Sequence, residues 1–162
     1  SCMNDLLNNE PVKRAQEALK KLDENKKVQV LEKTARTAKE ASIALQCHEG
    51  AIVKSLLFRA DDTFILCLVS GDKKCSLNKL KKITKKNDLC MASPEQVKAQ
   101  TGYTIGGVSP VGLINKMEIF MDSSLERFNT LYAAAGHPNC IFEINFKELN
   151  TITSSKIMEI TE

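Results

Sequence analysis

The chain has 162 residues, of which 43% are hydrophobic and 27% charged, a composition typical of a globular domain and not of a disordered or low-complexity chain. Its longest purely apolar run, residues 64–69, is too short to cross a bilayer, and the first ten residues lack the features of a signal peptide, so we expect one cytoplasmic domain. The net charge of +3 is unremarkable as a total, but it is spread unevenly along the chain.

Hydrophobic periodicity and capping residues predict an alternation of helices and strands. Pro11 opens an amphipathic helix at 11–24, and Thr37 and Ser93 are the N-caps predicted for helices at 37–46 and 93–101. A basic helix begins after Ser76, and short helical turns are expected at 125–128 and 146–149. Strands are predicted at residues 28–31, 51–58, 63–69, 88–92, 118–122, 130–135 and 140–145. The pattern indicates a mixed α/β domain with mixed or antiparallel pairing, and not a doubly wound parallel sheet.

Residues 101–112 read Thr-Gly-Tyr-Thr-Ile-Gly-Gly-Val-Ser-Pro-Val-Gly and contain four of the seven glycines. Glycine permits positive φ angles and close approach of the backbone, while Pro110 stiffens the loop. Such a loop can present free N–H groups to an anion or a developing oxyanion. It can equally be an ordered connector that turns the chain. No Rossmann, P-loop, Gly-x-Ser-x-Gly or His-Glu-x-x-His motif accompanies it.

Positive charge is concentrated in residues 73–86, which hold seven lysines and no acidic residue, whereas the rest of the chain has a net charge of −4. Leu77, Leu80 and Ile83 recur every three residues and form the apolar stripe of a short helix. A basic helical face on an otherwise acidic protein suits a polyanion such as RNA. The same face is also typical of a helix that is simply solvated.

Two basic residues elsewhere are candidates for chemistry. Lys54 interrupts a nearly all-apolar strand, where burial of an unpaired ammonium is costly. It either points into a cleft as a cation or reaches water from the start of the strand. His137 lies in a Gly-His-Pro turn, from which a histidine can reach a cleft and transfer a proton or bond a substrate. A structural histidine fits the same turn.

The six cysteines lack Cys-x-x-Cys spacing, and no histidine lies at zinc-finger spacing from them, so we expect neither a metal nor another cofactor. Because no signal peptide is evident, we expect the thiols to be reduced. One alternative stays open, in which Cys140 and the nearby His137 are the nucleophile and base of a thiol enzyme.

Six short motifs follow one another at residues 52–58, 70–73, 92–95, 101–112, 121–125 and 132–137. They read Ile-Val-Lys-Ser-Leu-Leu-Phe, Ser-Gly-Asp-Lys, Ala-Ser-Pro-Glu, the glycine-rich loop, Met-Asp-Ser-Ser-Leu and Tyr-Ala-Ala-Ala-Gly-His. Their order resembles the YbaK-like family of aminoacyl-tRNA deacylases, which is related to the editing domain of bacterial prolyl-tRNA synthetase. The resemblance covers about residues 34–149 and implies a compact domain with a barrel-like mixed sheet surrounded by helices. It leaves residues 1–27 as an N-terminal helical extension to a domain at 28–162.

The resemblance implies hydrolysis of the ester that joins a wrong amino acid to the 3′-terminal ribose of a tRNA. Such an ester is already activated, so oriented water and oxyanion donors suffice to hydrolyse it. Lys54 matches the family's essential lysine, residues 106–110 its Gly-x-x-x-Pro loop, and residues 136–137 its Gly-His dipeptide. The implied catalytic residues are Lys54, Gly106, Gly107, Val108, Ser109 and His137. The implied substrate-binding residues are Ser55, Leu56, Pro110, Asp122 and Gly136.

Within this scheme Lys54 holds the phosphate or sugar of the terminal adenosine, the loop amides receive the ester carbonyl, and His137 orients the ribose or the water. The basic helix meets the acceptor stem, and the implied tRNA-binding residues in and beside it are Lys73, Lys74, Lys79, Lys82 and Lys86.

Two features bear on the amino acid that is removed. Many family members carry Thr or Asn after the lysine, whereas this chain has Ser55. Its Gly-His form resembles the branch that clears small residues such as alanine from tRNA-Pro. The expected partners are therefore a mischarged tRNA and an aminoacyl-tRNA synthetase, and no membrane. The alternative is a non-catalytic tRNA- or synthetase-binding module of the same fold.

Overall fold

The computed structural model describes residues 2–162, so the first residue of the predicted N-terminal extension lies outside the described part of the chain. The helices are α1 (Cys2–Leu7), α2 (Glu10–Leu22), α3 (Ala38–Leu45), α4 (Leu77–Thr84), α5 (Pro94–Thr101) and α6 (Phe146–Thr153). The strands are β1 (Gln29–Val30), β2 (Ile52–Ala60), β3 (Thr63–Ser70), β4 (Leu89–Met91), β5 (Glu118–Asp122), β6 (Leu131–Ala134), β7 (Cys140–Ile144) and β8 (Lys156–Met158). Two 3₁₀ turns lie at Glu49–Ala51 and Ser123–Arg127. Among these residues no helix has both the length and the apolar character needed to cross a membrane.

The eight strands form one mixed sheet in the order β1-β7-β6-β2-β3-β5-β8, with β4 paired to β2 outside this path. β2 and β3 form the predicted hairpin, with Val53 opposite Ser70 and Ala60 opposite Thr63. The β2–β6, β3–β5 and β5–β8 pairs are parallel, whereas the other pairs are antiparallel. The predicted fold class, a mixed sheet with surrounding helices, is therefore confirmed.

One edge of β2 is open between its two other partners. β6 pairs with β2 only at Ile52 and Val53, and β4 pairs with it only at residues 58–60. Between these points no described strand covers the side of β2 that faces away from β3. The Leu57 carbonyl points to this side, because it accepts the Ala92 N–H at 3.0 Å. Since peptide groups alternate between the two edges of a strand, the N–H and C=O of Ser55 face the same open side.

Apolar side chains are buried on both faces of the sheet, as the alternation of side chains along β3 shows. Leu66 and Leu68 belong to the larger cluster, which α2, α5 and α6 cover. Cys67 and Val69 point the other way, into a smaller cluster that includes Leu80 of α4. Both clusters are needed to bury a strand as apolar as β3.

Helix α2 belongs to the larger core. Val12, Ala15 and Leu19 recur along one side of the helix and are fully buried in that cluster. On another side, Arg14 donates to the carbonyls of Gly112 (2.8 Å, from Nε) and Gly102 (2.9 Å, from Nη2), both in the glycine-rich loop. The domain boundary after residue 27 stays a prediction, but α2 packs with the domain and ties down the loop.

We expect Leu19→Ala to lower the free energy of unfolding by about 2–5 kcal/mol, because the change opens a cavity in a fully buried site. Chemical denaturation of the whole chain measures this loss. The control is Ile43→Ala on α3, where the side chain is 68% exposed and the expected change is within about 0.5 kcal/mol. A similar, small effect at both positions would contradict the assignment of α2 to the core.

Candidate active site

A cavity of about 420 Å³ lies at the open edge of β2. Most of its wall is apolar and much of it consists of small side chains, among them Ala35, Ala38, Ala41, Ala92 and Ala133. Lys54, Ser55 and Arg36 bring charged or hydrogen-bonding groups to this wall. Pockets of this size bury most of the surface of a small-molecule ligand, and a few polar contacts fix the orientation of that ligand. The cavity therefore has the composition of a specific small-ligand site.

The Lys54 ammonium is held by a backbone carbonyl. Its Nζ donates to the Lys73 carbonyl oxygen at 2.6 Å, and the structure describes no other acceptor within hydrogen-bond distance. Burial lowers the pKa of Lys54, while the more distant carboxylates of Glu49 and Asp72 act in the opposite direction. Because an ammonium has three donors, two remain for a ligand. The side chain thus serves as a partly buried cation at the cavity wall.

Ser55 contributes an orphan hydroxyl. Its Oγ is buried without a hydrogen-bond partner in the described part of the chain. An unpaired buried hydroxyl is unfavourable by about 1–3 kcal/mol, and a polar group of a ligand would remove this cost. Its neighbour Leu56 also lines the cavity but packs against the smaller core cluster. The open edge of β2 therefore offers a side-chain hydroxyl next to unpaired peptide groups.

The glycine-rich loop forms a rigid wall beside the His137 turn. Gly106 and Val108 line the cavity, and Gly106 has a φ of +95°, which favours glycine. A Cβ on Gly107 would lie 2.8 Å from the His137 amide nitrogen, so only glycine fits between the two segments. The Gly107 carbonyl accepts the Gly136 N–H at 2.9 Å. The loop and the turn are thus locked together.

Three of the predicted loop residues do not line this cavity. The Gly107 N–H donates to the Thr104 carbonyl at 3.0 Å, so this amide is already used and is not a free oxyanion donor. Ser109 is fully buried, and its Oγ accepts the Val111 N–H at 3.3 Å. Pro110 lines a second, more open cavity and not the one that contains Lys54. Of the predicted loop residues, Gly106 and Val108 are those at the cavity wall.

His137 lies behind the loop with its ring orientation defined. Its Nδ1 accepts the Asn139 N–H at 3.0 Å, so a neutral ring carries its proton on Nε2. Burial, and then the positive charge of Arg36, lower the pKa of His137 below its ordinary value. The ring is therefore a neutral donor near pH 7, next to the cavity but not part of its wall.

The nearby thiol does not have the properties of a nucleophile. Cys140 is fully buried, and burial raises its pKa to about 11. Since the thiolate is the reactive form, a thiol with this pKa is largely protonated and inert near neutrality. The thiol-enzyme alternative therefore has no support in the geometry.

Asp122, which is predicted to bind substrate, lies outside the cavity wall and makes structural contacts. Its side chain is 1% exposed and lies away from the cavity. The carboxylate accepts the N–H groups of Ser124 (3.2 Å) and Ile160 (2.8 Å) and the hydroxyl of Thr161 (3.2 Å). Asp122 thereby caps the Ser123–Arg127 turn and anchors the C-terminal segment.

The basic helix forms as predicted over Leu77–Thr84, with Ser76 accepting the Lys79 N–H as N-cap. Lys79 is partly neutralised, because its Nζ contacts Glu159 at 2.9 Å. Lys82 and Lys86 have no ion-pair partner in the described chain. A role of these lysines in binding tRNA stays a prediction.

Arg36 is a site residue that sequence patterns did not reveal. It is exposed at the cavity, close to Gly106, and has no ion-pair partner among residues 2–162. The Ala35 N–H donates to the Pro138 carbonyl at 2.9 Å, which fastens this segment to the His137 turn. About one hundred residues separate the two segments in the chain, so only the tertiary fold brings them together. The sole local feature that marks Arg36 in the sequence is its position directly before Thr37, the N-cap of α3.

The polar groups at the cavity are an ammonium, a guanidinium and a hydroxyl, which suit an anionic or hydrogen-bonding ligand. Residues 2–162 contain no group of three or more His, Cys, Asp or Glu side chains that could hold a metal ion.

Comparison with known proteins gives consistent matches. The model of the aminoacyl-tRNA editing domain family matches residues 32–152. The uncharacterised protein YwhH of Bacillus subtilis is 38% identical over 127 residues, which cover 78% of this chain and 80% of that protein. A proline–tRNA ligase of Caldicellulosiruptor saccharolyticus is 29% identical over 154 residues, so the chain, matched over 94% of its length, spans only 26% of the ligase. The crystal structure of a proposed trans-editing enzyme for prolyl tRNA synthetase is similar with a TM-score of 0.89 and 35% identity, covering 95% of this chain and 98% of that one.

We expect Arg36→Gln to raise the pKa of His137 towards its ordinary value, because the substitution removes a positive charge that disfavours the imidazolium. An NMR titration of the His137 ring in both proteins measures the shift. Arg59→Gln is the control, since Arg59 is paired with Asp88 at 3.0 Å and does not contribute to the shift. An unchanged His137 pKa in Arg36→Gln would show that the two charges do not interact.

Proposed function

The chain belongs to the aminoacyl-tRNA editing domain family, and we propose that it is a trans-acting deacylase that hydrolyses the ester of a mischarged aminoacyl-tRNA. The observation that carries this proposal is the anchored Lys54 ammonium at the wall of a mostly apolar cavity. An aminoacyl ester is already activated, so binding geometry and electrostatic stabilisation are enough for its hydrolysis by water.

Lys54 is assigned to the phosphate or ribose oxygens of the terminal adenosine. Two of its donors are unused, and charge-assisted hydrogen bonds to phosphate are stronger than neutral ones. Partial burial strengthens the attraction, because the surroundings of the ammonium are less polar than water. Arg36 at the same cavity is a second cation for this phosphate.

The ester is assigned to the space between β2 and the glycine-rich loop. Its carbonyl oxygen is assigned to the wall at Gly106 and Val108, where an oxyanion would meet backbone dipoles, and not to the Gly107 amide. The Ser55 hydroxyl, which lacks a partner, bonds the amino or ester group of the substrate. His137 donates from Nε2 to the ribose or to the attacking water, and it acts as a neutral ring.

The substrate assigned here is a small amino acid, such as alanine, on tRNA-Pro, as the Gly-His form of the chain implies. The mostly apolar wall is compatible with an apolar side chain, and the similarity to proline–tRNA ligases supports tRNA-Pro as the carrier. Steric selection of this kind is modest, since one methylene changes binding by about 1–3 kcal/mol. The lysines of α4 would contact the acceptor stem, with a synthetase as a further partner in the cytoplasm.

The deciding experiment is a deacylation panel of mischarged tRNAs with the wild type and Lys54→Ala. We expect release of a small amino acid by the wild type and a loss of about 100-fold or more in kcat/KM for the variant, because a preorganised charge is removed from the site. Lys147→Ala, an exposed lysine of α6, serves as the control and should retain full activity.

Two results would contradict the proposal. Full activity of folded Lys54→Ala would remove the role assigned to Lys54. If the wild type binds tRNA in a salt-dependent manner but releases no amino acid from any charged tRNA, the chain is a non-catalytic binding module.

A further inference from the structure

We propose that Arg127 and Asp72 form a positioning pair, which holds the Lys54 ammonium in place through the Lys73 carbonyl. This inference rests on the proposed function, because that function gives Lys54 its task. Neither Arg127 nor Asp72 lines the cavity, so both act through Lys54 and not on the substrate.

The Lys73 carbonyl belongs to a tight turn that is tied to the start of β2. The Lys73 N–H donates to the Ser70 carbonyl at 3.0 Å, and the Gly71 N–H donates to the Ile52 carbonyl at 2.8 Å. Lys54 lies two residues beyond Ile52 on the same strand. The position of this turn therefore decides where the only described acceptor of the Lys54 ammonium lies.

All three guanidinium nitrogens of Arg127 donate hydrogen bonds, and two of them hold the turn at residues 70–73. Nη2 and Nη1 donate to the two carboxylate oxygens of Asp72 at 2.8 and 3.1 Å, and Nη2 also donates to the Ser70 hydroxyl at 2.9 Å. Nε donates to the Ser124 carbonyl at 2.7 Å, and the guanidinium stacks 4.8 Å above the Phe128 ring. A planar fork of this kind sets an orientation that a lysine cannot reproduce.

Asp122 extends this arrangement to the core. It caps the Ser123–Arg127 turn, which carries Arg127, and is itself fully buried. The Met-Asp-Ser-Ser-Leu and Ser-Gly-Asp-Lys motifs thus meet at one place, where they support the same lysine. Asp122 and Asp72 thus have a positioning role, through Arg127, in which neither residue contacts a ligand.

The pair is too exposed to serve mainly as a source of stability. The side chains of Arg127 and Asp72 are 39% and 26% exposed, and solvent-exposed ion pairs contribute little to folding. The Arg127 hydrogen bonds lower the pKa of Asp72, so the carboxylate stays charged over the working range of the protein. What the contacts supply is a defined geometry next to Lys54.

The test compares Arg127→Lys with Arg59→Lys. Arg59 forms a second forked pair, with Asp88 at 3.0 and 3.1 Å, and Asp88 lies away from the cavity, so it is a matched control. Both variants keep their charge and lose the fork. We expect Arg127→Lys to lose about 10- to 100-fold in kcat/KM for the mischarged tRNA, the effect of a displaced site group, while Arg59→Lys keeps its activity. Thermal unfolding of each variant verifies that it is folded at the assay temperature.

A second measurement reports on Lys54 without using activity. Competitive labelling with trace acetic anhydride, quantified by mass spectrometry, gives the reaction rate of each lysine amine in the whole chain. In Arg127→Lys, Lys54 should react about two- to tenfold faster than in the wild type, the factor of one lost hydrogen bond, while the lysines outside residues 70–74 are unchanged.

The outcomes separate the two proposals. Unchanged labelling of Lys54, or unchanged activity of Arg127→Lys beside an active wild type, would overturn the positioning pair. A wild type without deacylase activity would overturn the proposed function, and the labelling rate would still decide whether Arg127 holds Lys54.

Discussion

The hydrogen bond from the Lys54 ammonium to the Lys73 carbonyl is the contact on which the candidate site depends. A cation on an apolar strand is unfavourable unless a partner accepts from it, and here a backbone carbonyl does so without neutralising the charge. A carboxylate in that position would have formed an ion pair and left less charge for a ligand. The turn at residues 70–73 therefore holds the Lys54 ammonium in place and leaves its charge available to a ligand. The contacts of Arg127 hold that turn.

The cavity exists because the sheet is incomplete beside β2. The pairing of β2 with its parallel partner β6 ends at Val53, and its pairing with the antiparallel partner β4 begins at Phe58. The β2 peptide groups between these two residues that point away from β3 therefore face a cavity and not a strand. An unpaired strand edge is normally a liability, since it can pair with another chain. Here the glycine-rich loop and the segment before α3 enclose the edge, and it becomes the polar side of a small-ligand site.

Local patterns predicted most of the framework because their causes are local. The capping boxes at Thr37 and Ser93 form as their sequences indicate, and the β2–β3 hairpin occurs within two residues of its predicted limits. The family motifs likewise lead to Lys54 and to the loop at Gly106. Short-range hydrogen bonds and side-chain alternation determine such features, and both can be recognised in a few consecutive residues.

The sequence by itself determined most of the elements, though not α1 or β8, together with the mixed α/β class and the residue types of the site. Only the tertiary structure decided which of those residues face the cavity: Arg36 does, whereas Asp122 and Pro110 do not. Only the tertiary structure likewise shows that the Gly107 N–H is not free, because it donates to the Thr104 carbonyl within a turn. The reason is physical: the partner of each such group comes from a segment elsewhere in the fold or from a turn geometry, and neither can be recognised from a residue and its sequence neighbours alone.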